Sequence, residues 1–203
     1  MKKLLLPLTL FSTLPTGAVF AQQSVPGLRG GINSATYAGS ANTAALVGGL
    51  AGVTVTTPLN QAATFAFQTE LLYAGKGSKL TGVTFAGIPG LSGTQRLHYL
   101  ELPLLVQYRP HNFELEAGPQ VGMLLAQQTE LSDGGKNRFS STGTGGLRTF
   151  EAGYILSAGY RLPQGLGAGL RYNRALSGIS GGRLHNSVIQ LQLSYQFRKN
   201  RTT

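Results

Sequence analysis

Four glutamates and two arginines are best placed by type and position to do chemistry: Glu70, Glu101, Glu116, Glu151, Arg29 and Arg171. The chain holds only seven Asp and Glu altogether. These four stand within runs of alternating apolar and polar residues, not in the polar stretches between runs. Carboxylates confined away from water can shift their pKa values and act as general acid or base. Confined with arginines, they offset one another's desolvation when the pairs are well made, and they tie neighbouring segments together. The second use is expected here, with Arg29 or Arg171 bridging Glu70, Glu101, Glu116 or Glu151 in a structural interior network.

The three histidines are the other candidate bases. His98 and His185 fall near longer polar stretches that also hold Ser92, Ser177 and Ser180, but no spacing fixes a Ser-His-acid triad. His111 stands in a short turn remote from them. All three are expected to be surface histidines without a partner. The sequence has no zinc-ligand pair and no phosphate-binding glycine loop. The absence of Cys removes thiolate metal ligands, a cysteine nucleophile, disulfides and a lipidated N-terminal cysteine. No catalytic, cofactor-binding or metal site is predicted, and the protein is expected not to be an enzyme.

The elements that must position the Glu and Arg residues show alternation of period two, the mark of a strand with one apolar and one polar face. Phe65, Phe67, Thr69, Leu71 and Tyr73 share one face of such a run, and Ala66, Gln68, Glu70 and Leu72 the other. Near the C-terminus Ile189, Leu191, Leu193, Tyr195 and Phe197 alternate with Gln190, Gln192, Ser194 and Gln196. Further runs are placed at 27–36, 45–57, 96–109, 113–126, 149–162 and 165–175, which makes about eight strands. Short turns at Pro58-Leu59-Asn60, Pro110-His111-Asn112 and Pro163-Gln164-Gly165 use residues that turns select. They alternate with longer Gly/Ser/Thr-rich loops at 37–44, 75–95, 127–148 and 176–186. The 29 glycines and scarce charges also disfavour a helical bundle.

Strands of about 9–11 residues suffice to cross a bilayer when tilted, and only a closed sheet leaves no edge in hydrocarbon. Aromatics sit where interfacial girdles belong. Phe65, Tyr108, Phe113, Tyr160, Tyr195 and Phe197 lie near the short-turn end, and Tyr73 and Tyr172 toward the long-loop end. The fold predicted is an all-β, closed, antiparallel, up-and-down transmembrane barrel whose charged face turns inward. A soluble ligand-binding barrel would reverse the faces, and alternation alone does not choose between the two. Lys2 and Lys3 before the apolar run Leu4–Phe11, with Val19-Phe20-Ala21 ahead of Gln22, predict a signal peptide over 1–21 and one barrel domain over 22–203. The expected location is the bacterial outer membrane with both termini periplasmic. The net charge of +10 comes from scattered basic residues, so lipopolysaccharide and phospholipid are the expected polyanions rather than nucleic acid.

Several stretches resemble the small "porin family", or outer-membrane β-barrel domain, proteins of Bacteroidota type. They are Phe67-Gln68-Thr69-Glu70-Leu71-Leu72-Tyr73 running into Gly75-Lys76-Gly77-Ser78-Lys79, Tyr99-Leu100-Glu101-Leu102-Pro103-Leu104-Leu105, Glu116-Ala117-Gly118-Pro119 and Leu170-Arg171-Tyr172-Asn173. The resemblance implies an eight-stranded barrel shaped like OmpX and the OmpA membrane domain. It implies little about activity, because fold does not give function. Tyr195 and Phe197 resemble the terminal aromatic signal read by barrel-assembly machinery, although Arg198–Thr203 follow them. Eight strands enclose a lumen that side chains can fill, whereas open aqueous channels need about 16–18. A monomer with a structural, adhesive or surface-recognition role through its long loops is expected, including an extracellular ligand or protein partner. A lipid-modifying enzyme, a narrow conduit and a soluble ligand-binding barrel are the alternatives.

Overall fold

The computed structural model describes residues 24–38, 43–85, 87–135, 138–143, 149–178 and 185–197. The predicted signal peptide over 1–21 lies outside the described residues. Nine strands run among those described: β1 (Val25–Ala38), β2 (Thr43–Pro58), β3 (Phe65–Phe85), β4 (Ile88–Tyr108), β5 (Phe113–Ser132), β6 (Arg138–Gly143), β7 (Phe150–Arg161), β8 (Leu166–Ala175) and β9 (His185–Gln196).

All pairings are antiparallel. The order β4-β3-β2-β1-β9-β8-β7-β5 returns on itself through β4–β5, so eight strands form a closed ring. The ninth, β6, pairs only with Gln127–Ser132 at the far end of β5, while β7 takes Phe113–Met123 of the same strand. The expected count of about eight therefore describes the ring, and β6 is an addition to it.

The expected loops at 75–95 and 127–148 need correction. β3 and β4 keep pairing up to Phe85 and Ile88, leaving only residues 86 and 87 between them. β5 likewise continues to Ser132 before β6 turns back along it. Beyond a bilayer a strand has no need of a continuous apolar face, so period-two alternation fades into Gly, Ser and Thr while the backbone ladder persists.

At the other end the predicted short turns are present. The Asn60 side chain accepts a hydrogen bond from the Phe65 backbone amide at 3.2 Å. His111 holds φ at 58° and Gly165 at 95°, the region glycine enters without steric cost. The close approach of neighbouring strands sets other glycines. A Cβ on Gly118 would lie 2.0 Å from the Leu104 carbonyl oxygen.

The faces settle inside from outside. Phe67, Leu102 and Leu191 are exposed to 37, 42 and 56 %, whereas Glu101 on the opposite face is 1 % exposed. Large apolar side chains clothe the outer wall, and Glu, Gln, Asn, Arg and Thr are packed within. A soluble barrel would be arranged the other way round, because burying charge while exposing apolar area in water forfeits the main driving force of folding. Rings meet at the short-turn rim, where Phe65–Tyr108, Phe113–Tyr160 and Tyr195–Phe197 have centroids 5.1, 5.4 and 5.3 Å apart.

Candidate functional site

The lumen is built in layers that can be followed along β3 and β5 from the short-turn end. Alternation turns Gln68, Glu70, Lys76 and Ser78 of β3 inward, and Glu114, Glu116, Gln120 and Leu124 of β5. The lowest layer is Arg161 against Glu114, with nitrogen–oxygen distances of 2.6 to 3.0 Å.

Above it sits a four-charge cluster. Arg29 reaches Glu70 at 2.8 Å and Glu116 at 2.9 Å, and Arg171 reaches the same two carboxylates at 2.7 and 2.8 Å. Two guanidinium forks thus clasp two carboxylates, the planar geometry that makes such pairs strong. Gln107 donates to Glu114 and Glu116 at 2.7 Å each, and Gln68 donates to Glu70.

The next layer turns on Lys76, whose ammonium lies 2.5 Å from Glu101 and 2.9 Å from Glu151. It also stands 5.2 Å from the centroid of the Tyr99 ring. Gln120 donates to Glu101 at 3.1 Å, Asn173 donates to Gln120 at 2.8 Å, and Asn186 donates to Glu151. An apolar layer of Tyr37, Leu97, Tyr99 and Leu124, with Leu80 packed against it, then closes the lumen toward the far end.

The six charged residues singled out by the sequence are all buried in this lumen, in two separate groups. Arg29, Arg171, Glu70 and Glu116 meet one another. Glu101 and Glu151 meet neither arginine but share Lys76. Sequence reasoning missed Lys76 because it fell within the stretch assigned to a loop. The signal was present, since the parity of Gln68, Glu70, Leu72 and Ala74 carries on to Lys76. Glu114 and Arg161 also belong to the plug and were legible only as members of polar faces.

His98, expected to have no partner, has one: on the outer wall it stacks on Tyr73, with ring planes 18° apart and Nδ1 2.6 Å from the phenol oxygen. Ser92 accepts from the Gly82 amide and Ser177 from the Ala152 amide, while Ser180 is outside the described residues. Among the described residues no group of three or more His, Asp and Glu is set to hold a metal ion.

Two cavities open at the ends. One of about 990 Å³ at the short-turn mouth is lined in part by Arg109, His111, Asn112, Arg161 and Gln196. The other, of about 530 Å³, lies on the extended sheet of β4, β5 and β6 beside Ser92, Glu130, Arg138 and Phe139.

The family model described as "Outer membrane protein beta-barrel domain" matches residues 20–181. Among solved structures, the attachment invasion locus protein Ail of Yersinia pestis, in complex with the heparin analogue sucrose octasulfate, is similar with a TM-score of 0.51 and 8 % identity. That match covers 86 % of this chain and 99 % of Ail. Neisserial surface protein A is similar with a TM-score of 0.51 and 13 % identity, over 85 % of this chain and 97 % of that one. At such identities the likeness is one of fold. No curated protein matches the sequence.

Proposed function

We propose a role for this protein from one premise: the chain belongs to the outer membrane protein beta-barrel domain family. It is an integral protein of the bacterial outer membrane. Its role, as we read it, is interaction at the cell surface through a sheet that projects beyond the membrane, with no catalytic step and no wide pore.

The observation that carries this reading is strand length. β3, β4 and β5 run 21, 21 and 20 residues, about twice the 9–11 that a tilted strand needs to cross. Their distal halves and β6 therefore stand outside the lipid as one sheet. Its last strand, Arg138–Gly143, pairs on one side only among the described residues, so it offers a row of backbone donors and acceptors for pairing with another chain. Phe85 and Phe139 meet edge to face at 5.6 Å near the tip, and Phe85 stays 47 % exposed. Leu80 and Leu91 pack inward, so the apolar segment between Ser78 and Gly93 both seats on its own rim and presents an aromatic.

In this reading the short turns and both termini face the periplasm, residues 1–21 are a cleaved signal peptide, and residues 22–203 form one monomeric domain. Tyr195 and Phe197 serve as the aromatic signal for barrel assembly. Their rings lie at right angles, and the Phe197 amide donates to the Pro26 carbonyl at 2.9 Å, fastening the last strand to the first. Lipopolysaccharide and phospholipid cover the apolar wall.

The test replaces residues 81–91 and 133–142 with short Asn-Gly turns and measures adherence and autoaggregation of cells carrying the shortened barrel. Loss of both, with heat-modifiable migration retained, supports the reading. Unchanged adherence and aggregation refute it.

A further inference from the structure

The short-turn mouth holds an arginine, Arg109, without an ion-pair partner among the described residues, beside Arg161, whose charge Glu114 meets at 2.6 Å. Arg109, His111 and Arg161 line the cavity of about 990 Å³, and no Asp or Glu is among its described lining residues. Arg161 spends its Nε and Nη2 on Glu114, while its Nη1 is a buried donor without a partner. Arg109 makes no ion pair with any described residue, and its Nε is also a buried donor without a partner. Buried N–H groups left unpaired carry the full cost of leaving water, more when charged, so native folds rarely keep them without a use.

The walls hold these donors in place. The Arg109 amide donates to the Thr64 carbonyl at 2.7 Å and the Arg161 amide to the Asn112 carbonyl at 2.8 Å. Both side chains therefore start from turns anchored across the mouth. Burial pulls the Arg109 guanidinium below its ordinary value, Glu114 opposes that shift, and the neighbouring charge of Arg161 adds to it.

We propose that this mouth is a binding site for a small oxyanion bearing carboxylate or phosphate oxygens, with Arg109 as its principal ligand-binding residue and the Arg161 guanidinium as a second positive group in the cavity wall. Arginine suits both chemistries because its planar fork matches carboxylate and phosphate oxygens alike. The cavity has the volume of an ordinary small-molecule site, and the plug behind it makes it a receptacle, not an entrance. Placing this mouth in the periplasm rests on the orientation proposed above.

The test uses the full-length mature protein folded in uncharged detergent micelles, where orientation in a membrane plays no part, so failure here is distinguishable from failure of that reading. Titration calorimetry at low salt with inorganic phosphate and, separately, citrate should give saturable one-to-one binding of at least one probe. Arg109→Gln should weaken it about tenfold, the loss of one charge-assisted contact. Arg138→Gln, on the exposed β6, should leave it unchanged. In the unmutated protein the Arg109 Nε–H resonance should move with the same midpoint, which keeps the test intact if the Arg109 variant misfolds. Tighter binding of citrate would point to carboxylates, such as those of cell-wall peptides, and tighter binding of phosphate to phosphate esters. Absence of saturable binding by both probes, equal weakening in Arg138→Gln, or an unmoved Arg109 resonance would overturn the proposal.

Discussion

Replacing Arg171 with Met should be among the most damaging single substitutions in this barrel. Arg171 is 1 % exposed and reaches Glu70 at 2.7 Å and Glu116 at 2.8 Å. Its removal leaves two carboxylates facing the single guanidinium of Arg29 in a space closed to water. Breaking a buried pair by deleting one partner costs about 3–5 kcal/mol, because a charge is left uncompensated. The second substitution Glu70→Gln restores the balance, leaving Arg29 clasping Glu116 at 2.9 and 3.0 Å. The double variant should therefore recover about 2–3 kcal/mol relative to the sum of the single changes, within the range of coupling between contacting residues. The chain has no Trp, so unfolding by guanidinium in phospholipid vesicles is followed by far-UV circular dichroism and by heat-modifiable migration. A loss below about 1 kcal/mol for Arg171→Met, in the range of an exposed pair, or simple additivity in the double variant would refute the reasoning.

Leu191 stands halfway along β9 on the outer wall, 56 % exposed, and Leu191→Arg should cost about 2–4 kcal/mol in the same unfolding assay if that wall faces lipid. Phe85→Arg, at the tip of the projecting sheet, should cost less than about 1 kcal/mol there, and equal costs would contradict the assignment of membrane and solvent. Gly118→Ala would bring a methyl group 2.0 Å from the Leu104 carbonyl oxygen; overpacking of this kind costs about 1–3 kcal/mol, and an unchanged unfolding midpoint would show that the strands separate without penalty. Reconstituted in planar bilayers, the protein should show no open-channel steps. Stable conductance like that of a wide porin would mean that the four stacked layers do not fill the lumen.

The alternation of faces was readable residue by residue, since period-two runs such as Ile189–Phe197 need no knowledge of their neighbours. That Glu70, Glu101, Glu116, Glu151, Arg29 and Arg171 share the polar faces was readable in the same way, whereas alternation alone did not say that those faces turn inward. Which of them would meet was not readable either. Arg171 and Glu70 lie 101 residues apart on strands that are not neighbours in the ring. Their meeting depends on the stagger between strands, which parity within one strand does not contain. Glu101 and Glu151 found Lys76 for the same reason, at a height the two arginines do not occupy. The projecting sheet was hidden because its Gly, Ser and Thr look like loop composition once lipid no longer demands an apolar face. The cationic mouth was hidden because Arg109, His111 and Arg161 come from two different turns, each unremarkable alone.

The central claim is that the apolar wall faces lipid and the charged residues fill the lumen. Because the chain has no Cys, spin labels can be placed singly at Leu102, Leu170 and Leu191 in otherwise native protein reconstituted into phospholipid vesicles. Power-saturation electron paramagnetic resonance then compares collision with oxygen, which concentrates in lipid, and with a water-soluble nickel chelate. All three labels should meet oxygen in preference to nickel, while a label at Ser140 on β6 should prefer nickel. Nickel preference at Leu102, Leu170 and Leu191 would place that wall in water and contradict the claim.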